Sequence, residues 1–255
     1  PRHLSVGSDG LICICPSDKA DFRMRMFNAD ASEGMMCGNG SRCIAKFVYD
    51  KGLTQKNPIT LETLSGIKTI AMDVADGKVV SATVDMGVPI TDPSSIPMTW
   101  EKSICLDETI TVTVDGAPLS LRGTGVSMGN PHFVTFVEDV ATAPVEKVGR
   151  VIEHSSYFPE RVNVEFVEIV DDNHVKFRVW ERGSGETLAC GTGACAVAYT
   201  AITLGKAGRR DQFLTVEAVG GPLQLNYRSD GHMMMKGPAV TVYEGEMEIP
   251  DNILK

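Results

Sequence analysis

The chain is written twice. Phe22-Arg23-Met24-Arg25-Met26-Phe27 resembles Val175-Lys176-Phe177-Arg178-Val179-Trp180 at an offset of 153 residues. At that same offset Glu33, Cys37, Gly38, Gly40 and Gly52 meet Glu186, Cys190, Gly191, Gly193 and Gly205. The offset then drifts slightly. Ile59-Thr60-Leu61-Glu62 meets Leu214-Thr215-Val216-Glu217, Gly66 meets Gly221, Asp76-Gly77 meets Asp230-Gly231, and Gly87 meets Gly237. Near-constant register over about sixty positions points to internal duplication, and so long a period excludes a solenoid of short repeats. The expectation is two similar domains facing each other. Residues 1–95 with 243–255 form the first, and residues 96–242 the second.

Each half offers an alternating strand, a turn rich in Gly and polar residues, and then a helix. Ile44, Phe47 and Val48 stand at i, i+3 and i+4, which gives the first helix one buried face. Residues 195–204 are apolar nearly all round, as suits a helix enclosed by a sheet. Gly52 and Gly205 fall where a left-handed C-terminal cap is expected. Short β-rich runs follow, with Asp76-Gly77 turning between residues 70–74 and 79–84. The fold class expected is therefore α/β of the α+β type: two pseudo-symmetric domains, each a strand-rich mixed sheet wrapped around a central helix. Residues 126–133 read as the start of a strand whose first-half counterpart falls upstream of Pro1, so a further N-terminal segment, a strand, is expected there.

Cys37-Gly38-Asn39-Gly40 and Cys190-Gly191-Thr192-Gly193 each open a helix. A thiol there feels the positive end of the helix dipole, which lowers its pKa and populates thiolate. The free N–H groups of the first turn can hold a carboxylate, and glycine lets a ligand approach closely. Inverting an amino acid α-carbon needs a base on one face and an acid on the other. Two symmetry-related thiols, one ionised and one not, supply that pair. Helix N-termini converging on the α-carboxylate would stabilise the enediolate charge, so no cofactor is required. The other cysteines, Cys13, Cys15, Cys43, Cys105 and Cys195, read as small buried hydrophobes.

Other function classes fit less well. A formal charge of −9 argues against a nucleic-acid surface, and no run is long enough to span a bilayer. Seven cysteines, an odd number, suggest reduced cytoplasmic thiols; without a C-x-x-C pair or a suitably spaced His they argue against a metal site. Gly191-x-Gly193-x-x-Ala196 mimics a dinucleotide fingerprint. Asp211, however, precedes the β-segment at 213–219, whereas a ribose-binding acid ends a strand. A thiol-redox or nucleotide-binding module stays as an alternative from a different class.

The segments Phe27-Asn28-Ala29-Asp30-Ala31-Ser32-Glu33, Met36-Cys37-Gly38-Asn39-Gly40 and Glu181-Arg182-Gly183-Ser184-Gly185-Glu186-Thr187-Leu188-Ala189-Cys190-Gly191-Thr192-Gly193 resemble the diaminopimelate epimerase family. Met128-Gly129-Asn130-Pro131-His132 and Arg161-Val162-Asn163-Val164 match further motifs of that family in the same order. The resemblance implies interconversion of LL- and meso-diaminopimelate, on the route to lysine and peptidoglycan, by Cys37 and Cys190 in a cleft between two domains and without a cofactor. It implies that Asn28, Asn130, Asn163 and Arg182 fix the distal end of the substrate, and that Glu181 meets a substrate ammonium. The backbone of Gly38, Asn39, Gly191 and Thr192 would hold the α-carboxylate. An Arg fork, carboxamides and an acid suit a substrate with two zwitterionic ends. A homodimer is compatible with the resemblance. His132, following Pro131, is left outside the catalytic set.

Departures are few. Ala31 stands where Gly is usual, Met35 where Glu is usual, and Phe133 where Cys is frequent; a Gly-Asn-Asp-Phe motif with a substrate-binding Asn would lie upstream of Pro1. The nearest rival is a proline or hydroxyproline racemase-like enzyme. Its second cysteine motif follows Asp and Ser-Pro, whereas Glu186-Thr187-Leu188-Ala189 precedes Cys190.

Overall fold

The computed structural model describes residues 10–28 and 31–246. The first half runs β1 (Gly10–Cys15), β2 (Phe22–Asn28), β3 (Glu33–Gly34), α1 (Gly38–Asp50), β4 (Ile59–Thr63), β5 (Gly66–Ala75) and β6 (Lys78–Asp85). A connecting region adds β7 (Glu108–Val114), β8 (Ala117–Ser127), β9 (Pro131–Phe136) and α2 (Val145–Glu153). The second half repeats the first as β10 (Asn163–Asp171), β11 (His174–Glu181), β12 (Gly185–Thr187), α3 (Gly191–Thr203), β13 (Phe213–Ala218), β14 (Gly221–Tyr227) and β15 (Met233–Pro238). The strand-rich α/β class is as the sequence reads.

Register makes the duplication quantitative. Gly10 lies opposite Asn28 in the β1–β2 pair, and Val164 opposite Trp180 in β10–β11, the same pairing displaced by 153 in both strands within one ladder step. In each half β4 or β13 then joins in parallel, leaving space for a crossover helix. Arg25 grips Glu33 through Nε and Nη2 at 2.8 and 3.1 Å; Arg178 grips Glu186 the same way at 2.6 and 3.0 Å. These forks explain why the hexapeptides and the later glutamates recur together. Being partly exposed, each contributes at most about 1 kcal/mol.

The halves meet edge to edge. β6 and β15 pair antiparallel, with Val84 opposite Met235, so one sheet runs β1-β2-β4-β5-β6-β15-β14-β13-β11-β10-β9-β8-β7. Ile70 faces Val84 and Leu225 faces Met235 in the two equivalent hairpins. The local two-fold therefore passes between Val84 and Met235. The first hairpin is longer, so the sequence offset falls from 155 at Gly66 and Gly221 to 151 at Val84 and Met235. The Gly87–Gly237 match does not survive this register: Gly87 follows β6 with φ +88°, while Gly237 lies inside β15 opposite Ala82.

α3 is buried from Gly193 to Ala201, so its apolar surface is covered on every side. α1 buries Ser41, Ile44, Ala45 and Val48, but Phe47 is 49% exposed because it stands at the border of that face. Cys105 and Cys195 are core residues as expected; Cys13 and Cys15 are half-buried, and Cys43 is exposed. Nothing among the described residues of the first half corresponds to α2. Its Val145, Val148 and Ile152 build a second core with Ile110, Phe133, Phe158 and Phe166. Residues 126–133 form the turn from β8 into β9, which runs parallel to β10.

Both long helices end alike. Gly52 and Gly205 adopt φ +71° and +64°, and the next residues donate back to Val48 O and Ala201 O. Gly52→Ala and Gly205→Ala each meet no neighbour, so only the left-handed backbone opposes them. Each is expected to lower unfolding free energy by about 1 kcal/mol in urea titrations.

Candidate active site

The two thiols are helix N-caps. Cys37 has φ −132°, ψ 113° and Cys190 φ −129°, ψ 114°. Each Sγ accepts the backbone N–H three residues on, from Gly40 and from Gly193, at 3.3 Å. A cysteine thus sits where Ser or Asp usually caps a helix, and the first N–H groups of both helices stay open toward whatever lies before them.

The helix starts are neighbours. A Cβ on Gly38 would collide with Cε of Met235, and one on Gly191 would lie 3.4 Å from Sδ of the same Met235. Asn39 Oδ1 is 3.8 Å from that same Gly191 position and has no hydrogen-bond partner. Met235 reaches this point from β15, at the pseudo-two-fold. The seam between the halves and the juxtaposition of the thiol-bearing helices are one feature.

The surroundings of the two thiols differ. Cys190 is buried, and its pKa is raised well above the ordinary thiol value, first by burial and then by Glu181 and Glu165; the Thr192 hydroxyl, 3.4 Å away, and the Gly193 N–H pull the other way and lose. The expectation that the helix start lowers this pKa is overturned, because desolvation of a buried thiolate outweighs the helix end. Cys37 is half-buried. Near it on α1, Arg42 is 6% exposed, donates to Pro238 O at 3.2 Å, and has no carboxylate within ion-pair range among the described residues. Burial lowers the Arg42 pKa.

Of the residues expected at the distal end, Asn130, Asn163 and Arg182 gather around the β9–β10 ends, and no described hydrogen bond joins Asn28 to them. Asn163 is buried; its Nδ2 donates to Pro131 O at 2.8 Å and its Oδ1 accepts the Arg182 N–H at 2.9 Å. Half of its carboxamide braces the chain, leaving one N–H and one acceptor site. Glu153 holds the same turn, accepting from Trp180 Nε1 at 2.6 Å and Gly183 N–H at 2.9 Å. The Arg182 guanidinium itself stays exposed, with one 3.3 Å contact to Glu160 O. Glu181 accepts from the Thr187 hydroxyl. Asn28, the first-half counterpart of Glu181, keeps its described contacts local, to Ser32. Ala29 and Asp30, from the same motif, lie outside the described residues.

Two residues outside the sequence-derived set belong here. His132 is fully buried, with Nδ1 2.7 Å from Glu165 Oε1 and Nε2 3.1 Å from Asn130 Oδ1. Glu165 is also fully buried, and its Oε2 has no partner. The available signal was a lone acid in the apolar run Val164-Glu165-Phe166, at the position where the first half has Ile12.

Asn163→Ala is expected to destabilise by about 1–3 kcal/mol in denaturant titration, since a buried acceptor and donor lose their partner.

Comparison with known proteins identifies the family. The sequence model of the family described as "Diaminopimelate epimerase" matches residues 1–91 and 124–242. A diaminopimelate epimerase of Methanococcus maripaludis is 52% identical over 97% of this chain and 87% of its own length. Those of Acetivibrio thermocellus and Bacillus subtilis are 49% and 48% identical over 97% and 95% of the chain, and 86% and 84% of their own lengths. Among solved structures, a probable proline racemase of Agrobacterium radiobacter superposes with TM-score 0.71 at 15% identity, covering 94% of this chain and 76% of its own. A PhzF-family protein of Bacillus anthracis gives 0.69 at 20%, covering 96% and 86%. At such identities these two share the fold alone. With both cysteine motifs, the duplicated frame and this extent of identity in agreement, the chain belongs to the diaminopimelate epimerase family.

Proposed function

We propose that Cys37 and Cys190 carry out the family's epimerisation by passing the α-proton of diaminopimelate from one face to the other. The observation that carries this reading is the pair of thiol-capped helix N-termini converging beside Met235. One thiolate takes the proton from the α-carbon. The electron pair moves into the α-carboxylate, whose charge the open N–H groups of Gly38, Asn39, Gly191 and Thr192 offset. The opposite thiol then gives its proton to the other face, and the pair ends with its protonation exchanged.

In this reading Arg182, Asn28, Asn130 and Asn163 take the distal amino acid end and Glu181 its ammonium. Asn163 also fixes the Arg182 turn. The two domains would be residues 1–95 with 243–255, and 96–242; the part at 247–255 lies outside the described residues. Among the described residues no helix is long and apolar enough to cross a membrane.

Turnover of LL-diaminopimelate should fall by at least about 10³-fold in both Cys37→Ala and Cys190→Ala, with circular dichroism unchanged. Proline should not be turned over. Normal epimerisation by either folded variant would refute the paired-thiol reading, and turnover of proline alone would move the assignment to a proline racemase-like enzyme.

A further inference from the structure

Superimposed on the pseudo-symmetric frame is a sharp difference in charge. Beside Cys190, Glu165 Oε1 and Cys190 Sγ stand 2.7 and 3.3 Å from the point that a Cβ on Gly193 would occupy. At the equivalent point on Gly40, Cys37 Sγ is 3.4 Å away, and the atom in place of the carboxylate oxygen is Cδ1 of Ile12. Two other equivalent positions differ in the same sense. Glu181 corresponds to Asn28, and Cys195 corresponds to the buried, unpaired Arg42. At these three matched, described positions the Cys190 side carries two carboxyl groups, and the Cys37 side a cation and no carboxyl.

We propose that Glu165 is the positioning residue that makes the two thiols unequal, keeping Cys190 as the resting acid and leaving Cys37 to be the base. This rests on the two-thiol reading above and adds to it which thiol starts with the proton. The groups bearing on Cys190 are Glu165 from β10, Glu181 from β11, and the Thr192 hydroxyl and Gly193 N–H from α3. His132, from β9, stands behind Glu165. A thiolate at Cys190 would be a buried anion facing the carboxyls of Glu181 and Glu165, and among the described residues no side-chain cation contacts the sulfur. At the matched point beside Cys37 the described residues place the apolar Ile12 instead of a carboxyl. Glu165 also ends in Oε2, which has no partner, so the carboxyl is not present merely to complete a saturated hydrogen-bond network.

The test is alkylation by iodoacetamide across pH, read separately at each cysteine by peptide mass spectrometry, in the wild type and in Glu165→Gln. Glutamine keeps the size and an acceptor for His132 while removing the charge. The reaction midpoint at Cys190 is expected above that of a free cysteine thiol in the wild type, and to fall in Glu165→Gln while staying above the free-thiol value, since burial and Glu181 remain. The midpoint at Cys37 is the internal control and should not move. A merely structural role would change stability or reaction rate and leave the Cys190 midpoint in place. An unmoved midpoint in folded Glu165→Gln overturns the proposal, as does a wild-type midpoint at or below that of the free thiol. Should Glu165→Gln fail to fold, the reciprocal Ile12→Glu is expected to raise the midpoint at Cys37, and no rise overturns it. Wild-type turnover of diaminopimelate, measured alongside, separates the two claims. An inactive wild type removes the underlying reading, whereas an active one with an unmoved midpoint removes only the part given to Glu165.

Discussion

A backbone N–H donated to a cysteine sulfur, once at Gly40 and once at Gly193, is the contact around which the molecule is arranged. It requires a helix that starts at the cysteine, glycines that leave room before and beside it, and a strand that delivers the chain in extended conformation. Each half supplies these in the same order, and the β6–β15 pairing brings the two copies together. The helix starts are therefore fixed by the same hydrogen bonds that hold the halves to each other. A shift of one residue in that register would turn Met235 to the opposite sheet face, away from Gly38 and Gly191.

Symmetry of frame and asymmetry of charge do different things. A two-sided proton transfer needs the thiols to approach one carbon from opposite faces, which the pseudo-two-fold provides. It also needs them in different protonation states, which no symmetric arrangement of identical surroundings can provide. The departures lie at matched positions: Glu165 for Ile12, Glu181 for Asn28, Cys195 for Arg42. Burial adds to the difference, Cys190 being enclosed and Cys37 half-open. The duplication accounts for the shared geometry, and the proposed difference between the thiols rests on these departures.

Much of this was legible in the sequence because it depends on local chemistry repeated at a fixed spacing. The Cys-Gly-x-Gly pairs, the glycine caps at 52 and 205, and the Asp76-Gly77 turn need only a few neighbouring residues, and all took the expected form. What depends on distant packing was not legible. The burial of Cys190 left no local trace beside its helix start, because the carboxyls near it come from β10 and β11. Phe47 fits the helical spacing but falls at the edge of the buried face, and Cys43 faces outward on the same helix. Gly87 and Gly237 matched by letter only, since the longer first hairpin shifts the register between them. Asn163 was expected at the substrate; that its carboxamide also braces Pro131 and Arg182 depends on contacts the sequence does not show. The His132–Glu165 contact joins residues 33 positions apart and left only a lone acid in an apolar strand as its trace.

The central claim is that two different groups remove and return the α-proton. Incubating LL-diaminopimelate with the enzyme in deuterium oxide and following both stereoisomers by mass spectrometry at early turnover tests it directly. The account predicts deuterium in the meso product from the first turnovers while the remaining LL substrate stays unlabelled, because the returning proton comes from the opposite, solvent-equilibrated thiol. Label appearing equally in substrate and product, or a product that retains the original proton, would contradict it.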